Sequence, residues 1–115
     1  MAEQPILEFI RDATNTPDDS YDTVLLTNTN AVVVGLYQLG ALTFTTIDKD
    51  SLWEDLLIAN PVILAIVKQI MSLRVRYMFD ATASQQGTLY EAFSEYESRL
   101  LLILELTPVV PPVTP

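Results

Sequence analysis

The chain has 115 residues, with 15 acidic against 6 basic side chains, a net charge of −9, and neither histidine nor cysteine. That length holds one domain with one modest core, and the composition excludes disulfides, Cys/His zinc or haem sites, and every catalytic scheme built on cysteine or histidine. The acidic balance argues against wrapping nucleic acid directly, because phosphates are neutralised by lysine and arginine, yet it is compatible with surrounding nucleic acid without gripping it.

The charge is unevenly spread. Residues 1–60 carry ten acids against Arg11 and Lys49, whereas residues 61–115 carry five acids against Lys68, Arg74, Arg76 and Arg99. An acidic half beside a near-neutral half suits head-to-side stacking of identical subunits, and equally a solvated acidic face. The N-terminus MAEQPILEFIRD lacks a basic region and an uninterrupted apolar run, so no signal peptide is expected and the compartment is read as intracellular, or inside a particle assembled there.

In chain order, Glu3 to Ala13 reads as a first helix with Ile6, Leu7, Phe9 and Ile10 apolar. NTPDD at 15–19 is a connector: Pro17 stops the helix and Asp19 or Ser20 caps the next. Asp18, Asp19 and Asp22 there also suit the positive end of a helix dipole. Tyr21 to Leu39 is the second helix, with Leu25, Val32, Val33, Leu36 and Leu39 on one face. TNTN at 27–30 and VVV at 32–34 are poor helix formers, so a strand at Ala31 to Val34 competes. Periodicity over the full length favours the helix, and Gly40 supplies its stop.

Leu42 to Asp50 alternates and is β-branched, which predicts a short extended segment or loop. Asp48 and Asp50 within it lack the further oxygen ligands and the turn glycine that a divalent ion needs, and read as a solvated acidic loop. Ser51 and Glu54 form a capping box that predicts a short helix from Leu52 to Ala59. Trp53, the one tryptophan, is either a buried anchor for that helix or an interface contact.

Pro61 to Phe79 predicts one long helix, capped by Asn60 and started by Pro61. Lys68, Gln69, Ser72 and Arg76 form its single narrow polar stripe, and nearly all the remaining circumference is apolar. Such a helix must be wrapped by other helices, by neighbouring subunits or by lipid. The uncharged run falls short of the ~20 residues of a membrane crossing, which leaves lipid the weakest choice. Arg74 projects from the opposite side, amid Ile63, Val67 and Met78, and there requires a carboxylate partner, one a neighbouring chain can supply, or an edge at which to reach water.

DATASQQG at 80–87 reads as a polar linker. Thr88 and Glu91 make a second capping box, opening a last helix that runs to about Leu106, with a first turn that can begin near Ser84. Leu89, Phe93, Tyr96, Leu100 and Ile103 or Leu104 line one face, and Glu95 and Arg99 sit four apart in the favourable order. TPVVPPVTP at 107–115 is an apolar, proline-rich tail with little conformational freedom to lose on docking. These readings give an all-α bundle of about four to five helices around one long central helix, divided into a helical domain, 1–106, and an extended C-terminal arm, 107–115.

Chemistry is missing. Gly35, Gly40 and Gly87 are isolated, so there is no phosphate loop, and no serine has a base to activate it. The acids cluster at helix starts and in loops, where capping and solubility explain them. Neither an enzyme nor a cofactor is expected.

Several blocks, in order, carry a resemblance. They are Tyr21-Asp22 with the apolar helix behind it; Trp53-Glu54-Asp55 ahead of the long helix; LRVRYMFD at 73–80, a basic aliphatic run closing in Phe-Asp; and EYESRL at 95–100. Together they resemble the small head-to-tail connector, or adaptor, proteins of long-tailed bacteriophages, over most of residues 20–104. Ala81-Thr82 departs from the prolines usual after Phe-Asp, Ser98 stands where an aromatic is common, and the proline-rich tail is outside the pattern.

The resemblance implies a mostly helical virion protein that forms a ring of twelve copies at the portal vertex, made in the bacterial host cytoplasm. It implies contact with the portal on one side and a stopper or tail-completion protein on the other, with DNA passing through a central channel without sequence-specific binding and no membrane involved. On this reading Arg74, Arg76, Arg99, Trp53 and the tail residues Pro108, Val109, Val110, Pro111 and Pro112 belong to subunit or portal interfaces, and Asp18, Asp19, Asp22, Asp48 and Asp50 face the channel or solvent. The alternatives are a soluble acidic helical interaction module that covers a basic partner, and another neck component such as a stopper, a class more often built on strands.

Overall fold

The computed structural model describes residues 4–16, 19–43, 45–79 and 83–106. Its helices are α1 (Ile6–Thr14), α2 (Asp22–Gln38), α3 (Pro61–Phe79) and α4 (Ala83–Leu106), with a 3-10 turn at Trp53–Leu56. The protein is an all-α bundle in which α3 packs against each of the other three helices and most extensively against α4. The proline-rich tail lies outside the described residues.

The bundle follows from the apolar circumference of α3. Ile63, Val67, Ile70, Met71 and Val75 are buried in one stripe, and they meet Ile6, Leu7 and Ile10 of α1, Leu25, Val33 and Leu36 of α2, and Leu100 of α4 in a single core. The polar stripe is where the sequence puts it: Gln69 and Arg76 are exposed, Lys68 and Ser72 half-buried. Asn60 caps as expected, its Oδ1 accepting from the N–H of Val62 at 2.8 Å.

Helix α1 begins at Ile6 rather than Glu3, because Pro5 holds an extended ψ of 148° and forms a bridge to Leu52. The Ile6 N–H then donates to the Ser51 carbonyl at 2.9 Å, tying the start of α1 to the chain entering the 3-10 turn. In α2 the helix wins over the strand at 31–34. Thr27 and Thr29 satisfy their hydroxyls on the carbonyls four residues back, at 2.8 and 2.7 Å. Gly40 ends α2 at φ 86°; its N–H donates to Tyr37 and that of Ala41 to Leu36, both at 3.0 Å, the two-bond helix stop that a left-handed glycine permits.

Two predicted elements differ. The helix expected over 52–59 is only the 3-10 turn, followed by Leu57 at φ 57°. Ser51 does not cap it: its hydroxyl accepts from the Asp48 N–H at 2.9 Å. Asp55, not Glu54, reaches back to the Leu52 N–H at 2.9 Å. A residue before proline disfavours the helical region, so the helix cannot run through Asn60 into Pro61. The second difference is Gly87, which lies inside α4; the helix starts at Ala83, near the earlier of the two starts considered, and Thr88 is an interior residue.

Replacing Ile70, wholly buried on α3, by alanine should lower the unfolding free energy by about 2–5 kcal/mol. Gln69→Ala, one residue away and exposed, should change it by no more than about 0.5 kcal/mol. Urea unfolding followed by far-UV circular dichroism measures both.

Candidate functional site

Arg74 is the first residue to place, because a cation on an apolar helix demands a partner. The partner is intramolecular: Arg74 Nε donates to Glu97 Oε2 of α4 at 2.7 Å, and the guanidinium lies 4.5 Å from the centre of the Phe93 ring. Phe93 in turn packs edge-on against Tyr77 and Tyr90 at 5.4 and 5.1 Å. The carboxylate that a neighbouring chain was able to supply thus comes from the same chain. Arg99 pairs with Glu95 on the exposed side of α4 and lies 5.6 Å from the Tyr96 ring. Arg76 is exposed and, among the described residues, has no ion-pair partner.

Trp53 is 2% exposed. Its ring meets Phe9 of α1 edge-on at 5.2 Å, and the Lys68 amine of α3 sits 5.2 Å from its centre. Of the two roles the sequence allowed, the tryptophan fills that of internal anchor, locking the 3-10 turn between α1 and α3.

The acids separate into two kinds. Asp22 is engaged, accepting from Arg11 Nε at 2.9 Å and from the second guanidinium nitrogen as well. That hydrogen bond first, then the charges of Asp22, Asp19 and Glu8, push the Arg11 guanidinium above its ordinary pKa, against the opposing effect of burial. Asp48 shapes its own loop, its Oδ1 accepting from the Asp50 N–H at 2.8 Å. Asp19, Asp48 and Asp50 are exposed. Asp18 and the tail residues Pro108 to Pro112 lie outside the described residues. Among the described residues no group of three or more acids is placed to hold a metal ion, and no helix is long and apolar enough to cross a membrane.

The outer face of α2 is distinct from all of these. From Thr23 to Ile47 the chain carries no charge, and Val24, Thr27, Ala31, Val34 and Gln38 recur on one exposed stripe at helical spacing. Val24 is 48% exposed and Val34 40%. Along its edge runs a cleft of about 180 Å³, walled by Ala31 and Gly35 of α2, by Leu39 just after it, and by the Arg74–Glu97 pair. A charge-free, partly apolar helix face beside a half-buried ion pair is of the kind that suits protein contact rather than catalysis.

Sequence reasoning missed one residue that builds this surface. Asn30 donates from Nδ2 to the Ile47 carbonyl at 3.0 Å and accepts from the Ile47 N–H at 2.7 Å. The two bonds pin the loop after Gly40 against α2 beside Thr27 and Val34 and seat Ile47 in the core, and the stripe that Val24 and Val34 belong to stays exposed. The signal was present as a polar residue amid poor helix formers, but its partner lies 17 residues away.

With the geometry in place, the sequence profile of the phage connector protein family matches residues 6–107. Neither a search of curated proteins nor one of solved structures finds a match. The match covers nearly all of the helical bundle, and the chain belongs to the phage connector protein family. It is accordingly a structural, non-enzymatic component of the virion at the portal vertex, joining portal and tail, with portal and tail components and further copies of itself in a ring as its partners.

The Arg74 side chain is 39% exposed and that of Glu97 23%, so solvent screens the pair. A double-mutant cycle with Arg74→Met and Glu97→Gln should return a coupling of about 0.2–1 kcal/mol, smaller in high salt. A salt-independent coupling of several kcal/mol would contradict this placement.

Proposed function

We propose that the protein works as a ring of twelve copies between the portal and a stopper or tail-completion protein, with the genome passing through a central channel without sequence-specific binding. The observation that carries this reading is the charge-free outer stripe of α2 on a chain of net charge −9. Identical acidic subunits repel, so they approach each other where no like charges are brought together. In a closed ring each subunit offers two different patches. The α2 stripe with its flanking cleft supplies one of them.

Arg76, exposed on α3, is the cation available to an acid of a neighbour or of the portal. Arg74 acts at the cleft through Glu97, and Arg99 lies with Glu95 on the outside of α4. Trp53 contributes from within, by fixing the turn that precedes α3. Asp19, Asp48 and Asp50, together with Asp18, face the channel or solvent, while Asp22 stays with Arg11. A negative lumen repels phosphates at close range and keeps DNA from adhering as it moves. The tail, with Pro108, Val109, Val110, Pro111 and Pro112, reaches from the end of α4 towards the portal or an adjacent subunit. The protomer is made in the host cytoplasm and joins the vertex there.

Electron microscopy with mass measurement, on the protein alone and mixed with portal rings from the same source, tests the assembly. Closed twelve-fold rings stacked on the portal are the expected result. The double variant Ala31→Glu, Val34→Asp should keep the helical circular dichroism and abolish ring formation. Rings unaffected by those two charges would remove α2 from the subunit interface, and a different copy number would overturn the stoichiometry.

A further inference from the structure

A second, separate groove of about 280 Å³ opens where the chain enters α3, lined by Ala41, Leu57, Ile58, Ala59, Asn60, Ile63 and Leu104. We infer that in the unassembled protomer the proline-rich segment after Leu106 lies in this groove of its own chain, seating Val109 and Val110 against Ile58, Ile63 and Leu104.

The first argument is direction. Helices α3 and α4 are joined by only the residues 80–82 and pack along each other, so they run antiparallel. The last turn of α4 therefore lies beside the first turn of α3, and Leu104 shares the groove with Ile63. Leu104 lines the groove two residues before the helix ends, so the chain leaving α4 starts at the groove's edge and reaches Ile58 and Ile63 by folding back over it. At about 3.1 Å per residue in an extended proline-rich conformation, Val109 falls within about 10 Å of the helix end. The groove has room for a few aliphatic side chains, which matches the Val109-Val110 pair rather than the whole tail.

Chemistry is the second argument. All the groove residues except Asn60 are apolar, on a chain whose other loops are acidic, and TPVVPPVTP is among its few uncharged segments. Asn60 commits its Oδ1 to the N–H groups of α3; among the described residues its Nδ2 has no acceptor, and it is placed to donate to a tail carbonyl. Leu57 is the third argument. It stands at φ 57°, a conformation that leucine rarely adopts, and is 72% exposed at the mouth of the groove. A large apolar side chain held outward at such a position is accounted for if something apolar covers it. Tethering makes the chain's own tail the occupant, because its local concentration exceeds that of any second copy, and prolines leave it little freedom to lose.

The test is methyl NMR on the full chain. Cross-peaks between the methyls of Val109 or Val110 and those of Ile63 or Leu104 are expected, unchanged on dilution. They should be absent from a mixture in which the valines and the groove residues are labelled on separate chains. Leu57→Asp, which keeps a residue at ease in the left-handed region but sets a charge at the groove mouth, should abolish the cross-peaks and speed amide exchange over Leu57 to Asn60 at unchanged helical content. Cross-peaks that appear in the mixed sample, where the valines and the groove residues lie on different chains, would make a second copy the occupant and overturn the inference. So would valine methyls at random-coil positions, or cross-peaks that survive Leu57→Asp. None of these outcomes bears on the copy number or on α2, so this inference and the ring reading fail separately.

Discussion

An α-helix with one narrow polar stripe cannot face water, and in this protein that constraint falls on α3. Its buried stripe from Ile63 to Val75 draws α1 and α2 to one side and α4 to another. Each contact removes apolar surface from water, at roughly 25 cal/mol per Å². Among the described residues no sheet registers the four helices, and without cysteine no disulfide staples them. Their relative placement rests on how side chains of α3 fill the spaces between neighbours. Specific contacts flank the helix: Trp53, edge-on to Phe9, lies beneath Lys68 near its middle, and Tyr21 meets Phe79 at its C-terminal end.

Among the described residues, the long connection from Leu39 to Asn60 has only the 3-10 turn and the Leu52 bridge as regular structure, yet it is fixed at three places. Asn30 holds Ile47, Ser51 holds the start of α1, and Asp55 closes the turn before Leu57. The Asn30 bonds satisfy part-buried backbone groups of Ile47 that would otherwise cost about 1–3 kcal/mol each if left unpaired. They also decide what stays outside. With the loop drawn to one side of α2, the helix keeps an uncovered stripe that carries no charge, and with Leu57 turned outward the chain entering α3 keeps an apolar groove.

Both surfaces lie on a strongly acidic protein, and electrostatics gives them their meaning. Surface acids keep such a chain soluble and discourage unspecific association. In the proposed ring, contact between copies is confined to where charge has been left out. The ion pairs that do form serve the protomer: Arg11 with Asp22 joins α1 to α2, and Arg74 with Glu97 joins α3 to α4. Most of the protomer's cations are engaged within it, Arg11, Arg74 and Arg99 in ion pairs and Lys68 over the Trp53 ring.

The sequence by itself determined the four α-helices in outline, because hydrophobic period, Asn60-Pro61 and Gly40 are local signals read over one or two turns, although the further helix it predicted over 52–59 is only a 3-10 turn. It determined α3 to the residue, and it excluded cysteine and histidine chemistry outright. The order of Trp53-Glu54-Asp55, LRVRYMFD and EYESRL was enough to point to the family. Only the tertiary structure decided that Glu97 answers Arg74, that Trp53 faces inward, that Asp55 and not Glu54 closes its turn, and that the helix ending at Leu106 includes Gly87. Each of these depends on a partner distant in sequence or on competition between neighbours for one backbone group. Periodicity reports which face of an element is apolar; which element covers that face is settled by packing, and a single chain's pattern does not encode it.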